Sequence, residues 1–250
     1  MSTLSLTLTA TKYNLVETAR VPIAVIGSVV FPTLAFCLFV LPQGAVVADS
    51  TVATAAVCSM VVFAFMSSGL FSVGLELAEQ RSKPWTPYLR TLPGSPLARI
   101  GALILATLAI ATVAMLPLLV VGGIFTSARP EPLRLLAAIV LVIATALPPM
   151  LIGAIIGLTT GPKAAIAVTQ VALFLLAFGG GLFLPPQLFP AWLDTASSAL
   201  PIRQAREIVV GVATGSEVPL WAVLGVIAWT VALGALVVWL YRRDEGRRYR

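Results

Sequence analysis

Long apolar runs alternate with short polar segments along the whole chain, and this alternation is its dominant pattern. Each run reaches the ~20 residues that a helix needs to cross a hydrocarbon layer about 30 Å thick. We predict six membrane-spanning helices, at about residues 22–42, 52–76, 100–125, 134–159, 163–184 and 218–241. The pattern predicts an all-α integral membrane protein that forms a single domain over residues 1–250.

The polar segment before the first run is residues 4–20, which are too polar to span a membrane. Leu4, Leu8 and Leu15 recur near one face of a helix, which favours an amphipathic helix that lies in the membrane interface. The alternation in Ser5–Thr9 also permits a strand, so both structures stay open for these residues.

The stretch from Gly179 to Gly211 separates the fifth and sixth spans and mixes apolar with charged residues. Its prolines fix φ near the helical value and therefore start helices well. We predict two short helices, around 190–200 and 201–210, that lie at the outer membrane–water interface with one apolar and one wet face. An ordinary surface loop of apolar composition is the alternative. The residues expected on the wet face are Asp194, Arg203, Arg206 and Glu207.

The composition agrees with a membrane protein and removes several kinds of chemistry. Charged residues make up 10% of the chain, against roughly 25% in a soluble domain. The chain has no histidine, which removes the commonest general base and a common metal ligand. It also has no phosphate-binding loop of the G-x-x-x-x-G-K-[ST] type and no G-x-S-x-G nucleophile motif. We therefore expect no catalytic, cofactor or metal site on this chain.

The distribution of positive charge predicts the orientation. Twelve of the 16 Lys and Arg residues fall on the side that holds both termini, and four fall on the other side. Because cytoplasmic loops carry the excess of Lys and Arg, both termini are predicted to be cytoplasmic and the stretch Gly179–Gly211 to face outward. The five arginines of the C-terminal tail are then an inside anchor, and no nucleic-acid partner is expected.

The first cytoplasmic loop, Glu76–Arg99, has 24 residues and is long for a bundle with short turns. Its middle places Trp85, Tyr88, Leu89 and Leu92 near the spacing i, i+3, i+4, i+7, which predicts a short amphipathic helix. Such a helix could dock a partner protein or could simply lie on the bilayer surface. The spacing does not decide between the two.

Ionisable residues are nearly absent from the predicted spans, although ion-driven carriers commonly bury them. This count weighs against a proton- or ion-driven carrier, although an ATP-independent carrier or channel remains an alternative. Thr169 and Gln170 are polar residues within the fifth span. They could line a substrate path, or Gln170 could bond to a neighbouring helix.

Several short patterns resemble the permease subunits of the ABC-2 family, the membrane half of bacterial ABC exporters. Arg20-Val21-Pro22 and Phe31-Pro32 match the turn and early proline of the first span. In the first loop the matching residues are Glu79, Arg81, Trp85, Leu89 and Leu92-Pro93-Gly94-Ser95. After the fifth span they are Gly180-Gly181, Pro185, Phe189-Pro190-Ala191-Trp192-Leu193 and Leu200-Pro201.

The resemblance implies a transport subunit rather than an enzyme, in the bacterial cytoplasmic membrane. A separate cytoplasmic ATPase would bind ATP and Mg²⁺, and a second identical or paralogous permease would complete the pathway. The substrate would be a hydrophobic or amphipathic molecule such as a drug, an antibiotic or a lipid. The residues implied in coupling to the ATPase are Glu79, Arg81, Trp85, Tyr88, Leu89 and Leu92. Those implied in an extracellular cap are Pro185, Phe189, Pro190, Trp192 and Pro201.

Overall fold

The computed structural model describes residues 3–20, 22–84 and 96–247, and all regular structure within them is helical. A π-helical segment covers Gly69–Val73, and a short 3-10 turn covers Pro186–Leu188. In chain order the helices are α1 (Thr3–Ala19), α2 (Pro22–Phe39), α3 (Gly44–Ala48), α4 (Ser50–Ser68), α5 (Gly74–Ser82), α6 (Pro96–Phe125), α7 (Pro132–Thr145), α8 (Leu147–Thr159), α9 (Pro162–Gly179), α10 (Ala191–Ser198), α11 (Pro201–Thr214) and α12 (Leu220–Arg247).

Five helical segments of the described chain are long and apolar enough to cross a membrane: Ser50–Ser82, Ala98–Phe125, Pro132–Thr159, Pro162–Gly179 and Leu220–Arg243. They coincide with the second to sixth predicted spans, which confirms a multi-pass all-α membrane protein. The first predicted span corresponds to α2. The part of α2 whose side chains are described, Val30–Phe39, is apolar but too short by itself to cross a membrane. A sixth crossing therefore stays a prediction.

The ends of the bundle can be named from neighbouring helix termini. The outer end is where α4 and α7 begin, and where Ser127 after α6 donates its N–H to Val47 O of α3 at 2.9 Å. The inner end is where α5 and α8 end, near the start of α6. These names follow the orientation predicted from the positive charges, which the structure does not test.

The backbones of the second and fourth spans touch near the inner end. A Cβ atom added to Gly153 of α8 would lie 2.7 Å from Gly69 O, and one added to Gly157 would lie 2.5 Å from Gly74 O. Only glycine permits this approach, because any side chain would overlap a backbone oxygen. The π-helical segment Gly69–Val73 lies at this contact, consistent with the π-bulges that interrupt α-helices mostly at functional positions.

The fourth span is two helices rather than one. It breaks at Ala146, and the buried Pro148 and Pro149 lie in the first turn of α8. Proline has no N–H and fixes φ, so it fits this first turn and not a helix interior. The glycines that meet the second span, Gly153 and Gly157, both lie in α8, after the break.

The N-terminal segment is a helix, α1, so the strand alternative for Ser5–Thr9 is wrong. The helix packs along the start of α6, where Thr11 Oγ1 lies 3.4 Å from Ala102 O. Its position at a membrane interface stays a prediction.

The two predicted helices after the fifth span form as α10 and α11, so the surface-loop alternative is wrong. The predicted wet face of α11 is also wrong, because Arg203 is only 9% exposed and Arg206 only 5%. The helix packs against α4, α7 and α12 instead of lying on the surface. It begins beside the last third of α4, where Ile202 lines a small cavity with Val62 and Met66. It ends at the outer end, where Arg134 Nη1 lies 3.4 Å from Thr214 O.

Candidate functional site

The charged residues of α10 and α11 form one cluster inside the outer half of the bundle. Arg203 Nε lies 2.9 Å from Glu207 Oε1, and Arg206 Nη1 lies 3.1 Å from the same oxygen. Arg203 Nη2 also lies 3.3 Å from Asp194 Oδ1 of α10. One partly buried carboxylate therefore serves two guanidinium groups, and the exposed Asp194 compensates the second positive charge.

Arg206 joins this cluster to the second span. Its Nε donates a hydrogen bond of 3.0 Å to Ser59 Oγ, and Ser59 Oγ in turn donates to Ala55 O at 2.8 Å. The burial of a guanidinium requires such partners, because an unpaired ion in an apolar interior is strongly destabilising. The i, i+4 spacing of Arg203 and Glu207 in the sequence indicates that the two charges can pair on one face of a helix. Nothing in the sequence indicated Ser59 as a partner.

A cavity of about 470 Å³ opens beside this cluster at the outer end. Arg206, Glu207 and Ser59 contribute its charged and polar wall. Phe183 contributes an aromatic wall, and its ring centroid lies 4.9 Å from that of Phe63 and 5.2 Å from that of Phe39. Further lining residues are Val40, Gln43, Val46, Thr51, Val52, Ala55, Ala56, Gly181, Leu182, Pro185, Gln187, Val210, Gly211, Thr214, Gly215, Ser216 and Glu217. The lining of the cavity thus includes both charged and apolar side chains.

The residues predicted for an extracellular cap are dispersed around α10. Trp192 is 72% exposed and Pro190 is exposed, whereas Pro201 is buried at the start of α11. Pro185 lines the outer cavity, and Phe189 is half-buried. Their role as a cap stays a prediction.

Thr169 and Gln170 of α9 differ in environment. Thr169 is fully buried beside the glycine contact, with its Oγ1 3.5 Å from a Cβ added to Gly74. Its hydroxyl has no hydrogen-bond partner among the described residues. Gln170 is half-buried. A substrate path along these residues stays a prediction.

At the inner end the structure describes only the first two of the predicted coupling residues. Glu79 is exposed, and Arg81 Nη1 donates a 3.0 Å hydrogen bond to Gly157 O of α8. Trp85, Tyr88, Leu89 and Leu92 lie outside the described residues. Arg81 therefore ties the helix that leads into the first loop to the end of α8.

A second cavity, of about 530 Å³, lies at the inner end between α1, α5 and α6. Its charged lining is Glu17, Glu76, Glu79 and Lys83. In the described part of the chain, no three side chains of the metal-ligating types come together.

Comparison with known proteins decides the family. Residues 5–213 match the ABC-2 type transporter family. The chain belongs to this family. A protein of Bacillus subtilis (strain 168) named "Putative transport permease YvfS" is 26% identical over 192 residues, which are 75% of this chain and 76% of that protein. The resemblance to ABC-2 permeases is confirmed, and with it a membrane transport protein.

The ABC-2 match extends from α1 to the end of α11. It includes the hydrogen bond that joins α5 to α8 at the inner end and the one that joins α4 to α11 at the outer end. The inner-end contact and the buried charge cluster therefore lie within the family domain of this ABC-2 permease, and the outer cavity extends just beyond it to Glu217.

Proposed function

We propose that this chain is the transmembrane subunit of an ABC exporter that moves a hydrophobic or amphipathic molecule out across the cytoplasmic membrane. A drug, an antibiotic or a lipid is the substrate class. A separate ATPase subunit binds ATP and Mg²⁺, and a second copy or a paralogue forms the pathway with this chain. The family match over residues 5–213 is the observation that carries the proposal.

The inner end supports a route by which the ATPase acts on the bundle. Residues 85–92, which we propose to dock on the ATPase, follow α5 after only a short connection. A push on them reaches α5 directly, and it reaches α8 through the hydrogen bond from Arg81 to Gly157 O. Since Gly157 also touches the backbone of Gly74, the two helices would shift together.

The proposed location is the bacterial cytoplasmic membrane, with both termini in the cytoplasm. This orientation rests on the 12 Lys and Arg residues predicted inside against four outside. Under this orientation the outer cavity faces away from the ATPase, and α5 and α8 end on the ATPase side.

The buried charge cluster of α11 is the one observation that favours an ATP-independent, ion-driven carrier, because such carriers bury ionisable groups. Its two arginines, however, are matched by Glu207 and Asp194, so it holds no uncompensated carboxylate for a coupling ion. Family membership therefore weighs more, and the ATP-driven exporter is our conclusion.

Purification of the chain from its own host tests the proposal, since the ATPase is expected to co-purify with it. The complex is then placed in inverted vesicles and supplied with Mg-ATP and a panel of hydrophobic dyes. We expect dye uptake that stops when ATP is replaced by a non-hydrolysable analogue. Uptake driven by an ion gradient without ATP, from a preparation that contains no ATPase, would contradict the proposal.

A further inference from the structure

The outer cavity combines features of a ligand site that the family assignment does not explain. Its volume of about 470 Å³ falls within the range of roughly 300–1,000 Å³ found for small-molecule pockets. Its lining includes the buried guanidinium of Arg206 and the aromatic ring of Phe183. A cavity that presents a charge and an apolar surface together fits an amphipathic molecule better than a purely apolar one.

The hydrogen bonds of Arg206 leave part of its guanidinium available. Nε donates to Ser59 Oγ and Nη1 contacts Glu207, while Nη2 has no hydrogen-bond or ion-pair partner among the residues that the structure describes. Glu207 already contacts both Arg203 and Arg206, so its negative charge is offset. The guanidinium of Arg206 can therefore donate further hydrogen bonds to a ligand. Guanidinium groups bind carboxylates and phosphates particularly well.

The other charged residues near the cavity do not reverse its preference for an anionic group. Glu217 also lines the cavity, but it is exposed at the rim, where water and salt screen its charge. Arg203 lies on the same helix face and adds a second positive charge beside Glu207. Gln43, Thr51 and Gln187 also line the cavity, and their side chains carry donors that can complete the contacts of an anionic group.

The aromatic wall connects the cavity to the exposed apolar surface. The ring centroid of Phe183 lies 5.2 Å from that of Phe39 and 5.3 Å from that of Phe178. Phe39 is 54% exposed and Phe178 is 53% exposed, on helices α2 and α9. In a membrane these exposed rings would face hydrocarbon, so an apolar tail could extend from the cavity between them into the outer leaflet.

We infer that the outer cavity binds an amphipathic molecule with one anionic head group, which Arg206 holds, and an apolar body, which packs against Phe183. Either a membrane phospholipid or a smaller amphipathic anion supplies this chemistry. The inference goes beyond the proposed function, because binding at this site requires neither ATP nor a partner chain.

The test uses the full chain in nanodiscs of zwitterionic phosphatidylcholine. The probe is cis-parinaric acid, a fluorescent fatty acid, and its methyl ester is the uncharged control. We expect saturable fluorescence above that of empty nanodiscs for the acid and none for the ester. Dodecyl phosphate is expected to compete with the probe, whereas dodecylamine is not.

Two variants change different properties of the cavity: one changes its charge and the other its volume. Arg206→Gln removes the positive charge and is expected to weaken acid binding about tenfold or more. Ala56→Phe fills the cavity, keeps Arg206, and is expected to abolish saturable binding. Their matched controls are Arg129→Gln, which removes an exposed outer-end arginine bonded to backbone carbonyls, and Ala232→Phe, on the exposed face of α12. Both controls are expected to bind the acid as the unmodified chain does.

Mass spectrometry of the intact protein, released from its own membrane, identifies the source of the ligand. An anionic phospholipid retained by the unmodified chain and lost in Ala56→Phe identifies a membrane lipid. If the chain carries no phospholipid but binds cis-parinaric acid, the ligand is a smaller amphipathic anion. Either of these two results supports the proposed site. Equal binding of acid and ester, no saturable binding, or unchanged acid binding in both cavity variants would overturn the inference.

Discussion

Arg206 of α11 donates a hydrogen bond from Nε to Ser59 Oγ of α4 at 3.0 Å, although 147 positions separate the two residues in the sequence. This bond fixes a charged helix from the last part of the chain against the buried second span. It also sets one wall of the outer cavity.

Ser59→Ala is therefore expected to destabilise the protein. The substitution leaves Arg206 Nε without its partner in a buried position, which costs ~1–3 kcal/mol in the free energy of unfolding. Ser67→Ala is the matched control, because Ser67 Oγ bonds only to Ala64 O of its own helix. Thermal unfolding in detergent measures both variants. Equal midpoints for the two would mean that the bond to Arg206 contributes nothing to stability.

Gly157→Ala is expected to disrupt the contact between α5 and α8. The added methyl group would lie 2.5 Å from Gly74 O and 2.9 Å from Leu77 Cβ, so the helices must separate. Overpacking of this kind costs about 1–3 kcal/mol, and the proposed coupling should weaken with it.

The control for this glycine is Gly123→Ala in α6, where an added Cβ meets nothing within 4 Å. Alanine is the better helix former by up to ~1 kcal/mol, so this variant is expected to be as stable as the unmodified protein or more so. Unfolding midpoints and ATP-driven dye uptake are the two measurements. A Gly157→Ala variant with normal values for both would contradict the close contact.

The double variant Trp85→Ala with Leu89→Ala is expected to release the ATPase or to uncouple its hydrolysis from transport. Truncation of buried anchors at an interface typically costs ~2 kcal/mol or more for each dominant residue. Lys83→Ala is the comparison, since a charge at the rim of an interface mainly affects association rate and salt dependence. Co-purification and ATPase activity are measured on one preparation. Retention of the partner and of substrate-stimulated hydrolysis would instead favour a helix that lies on the bilayer.

Single cysteines test the orientation in a background that lacks Cys37 and Cys58. Ser216 is exposed between α11 and α12, and Ser82 is exposed at the end of α5. We expect Ser216→Cys to react with an impermeant thiol reagent in intact cells and Ser82→Cys to react only after the membrane is opened. Ser197 is unsuitable because it is 1% exposed. The reverse pattern of labelling would invert the proposed topology.

The spans were predictable because hydrophobic length alone decides whether a helix can cross a membrane, and five of them lie where the apolar runs lie. The position of α11 was not predictable in the same way. Arg203 and Arg206 suggested a wet face, since charged residues are usually solvated. Their burial depends on Glu207 one turn away and on Ser59 in a distant helix, and the sequence shows only the first of these partners.

At the inner end, the sequence likewise indicates a glycine contact but not the helix that it contacts. Gly153 and Gly157 have the spacing of a close helix–helix contact, and this much was readable as a packing signal. Their spacing does not say which helix they meet, and it does not indicate the break at Ala146 or the π-helical segment Gly69–Val73, which lies at the contact. Both are features of tertiary packing rather than of local sequence preference.

The burial of α11 has a consequence for the order in which the protein is built. A helix with two arginines is costly to place in hydrocarbon by itself, so α11 needs a polar partner already in position when it enters the bundle. Ser59 of α4 and the neighbouring α7 both precede it in the chain, and ribosomes deliver them first. The last helix, α12, then arrives to cover α11 and donates a hydrogen bond from Trp229 Nε1 to Ala199 O at 2.8 Å. Synthesis from the N-terminus thus delivers Ser59 and α7 before α11, and α12 after it.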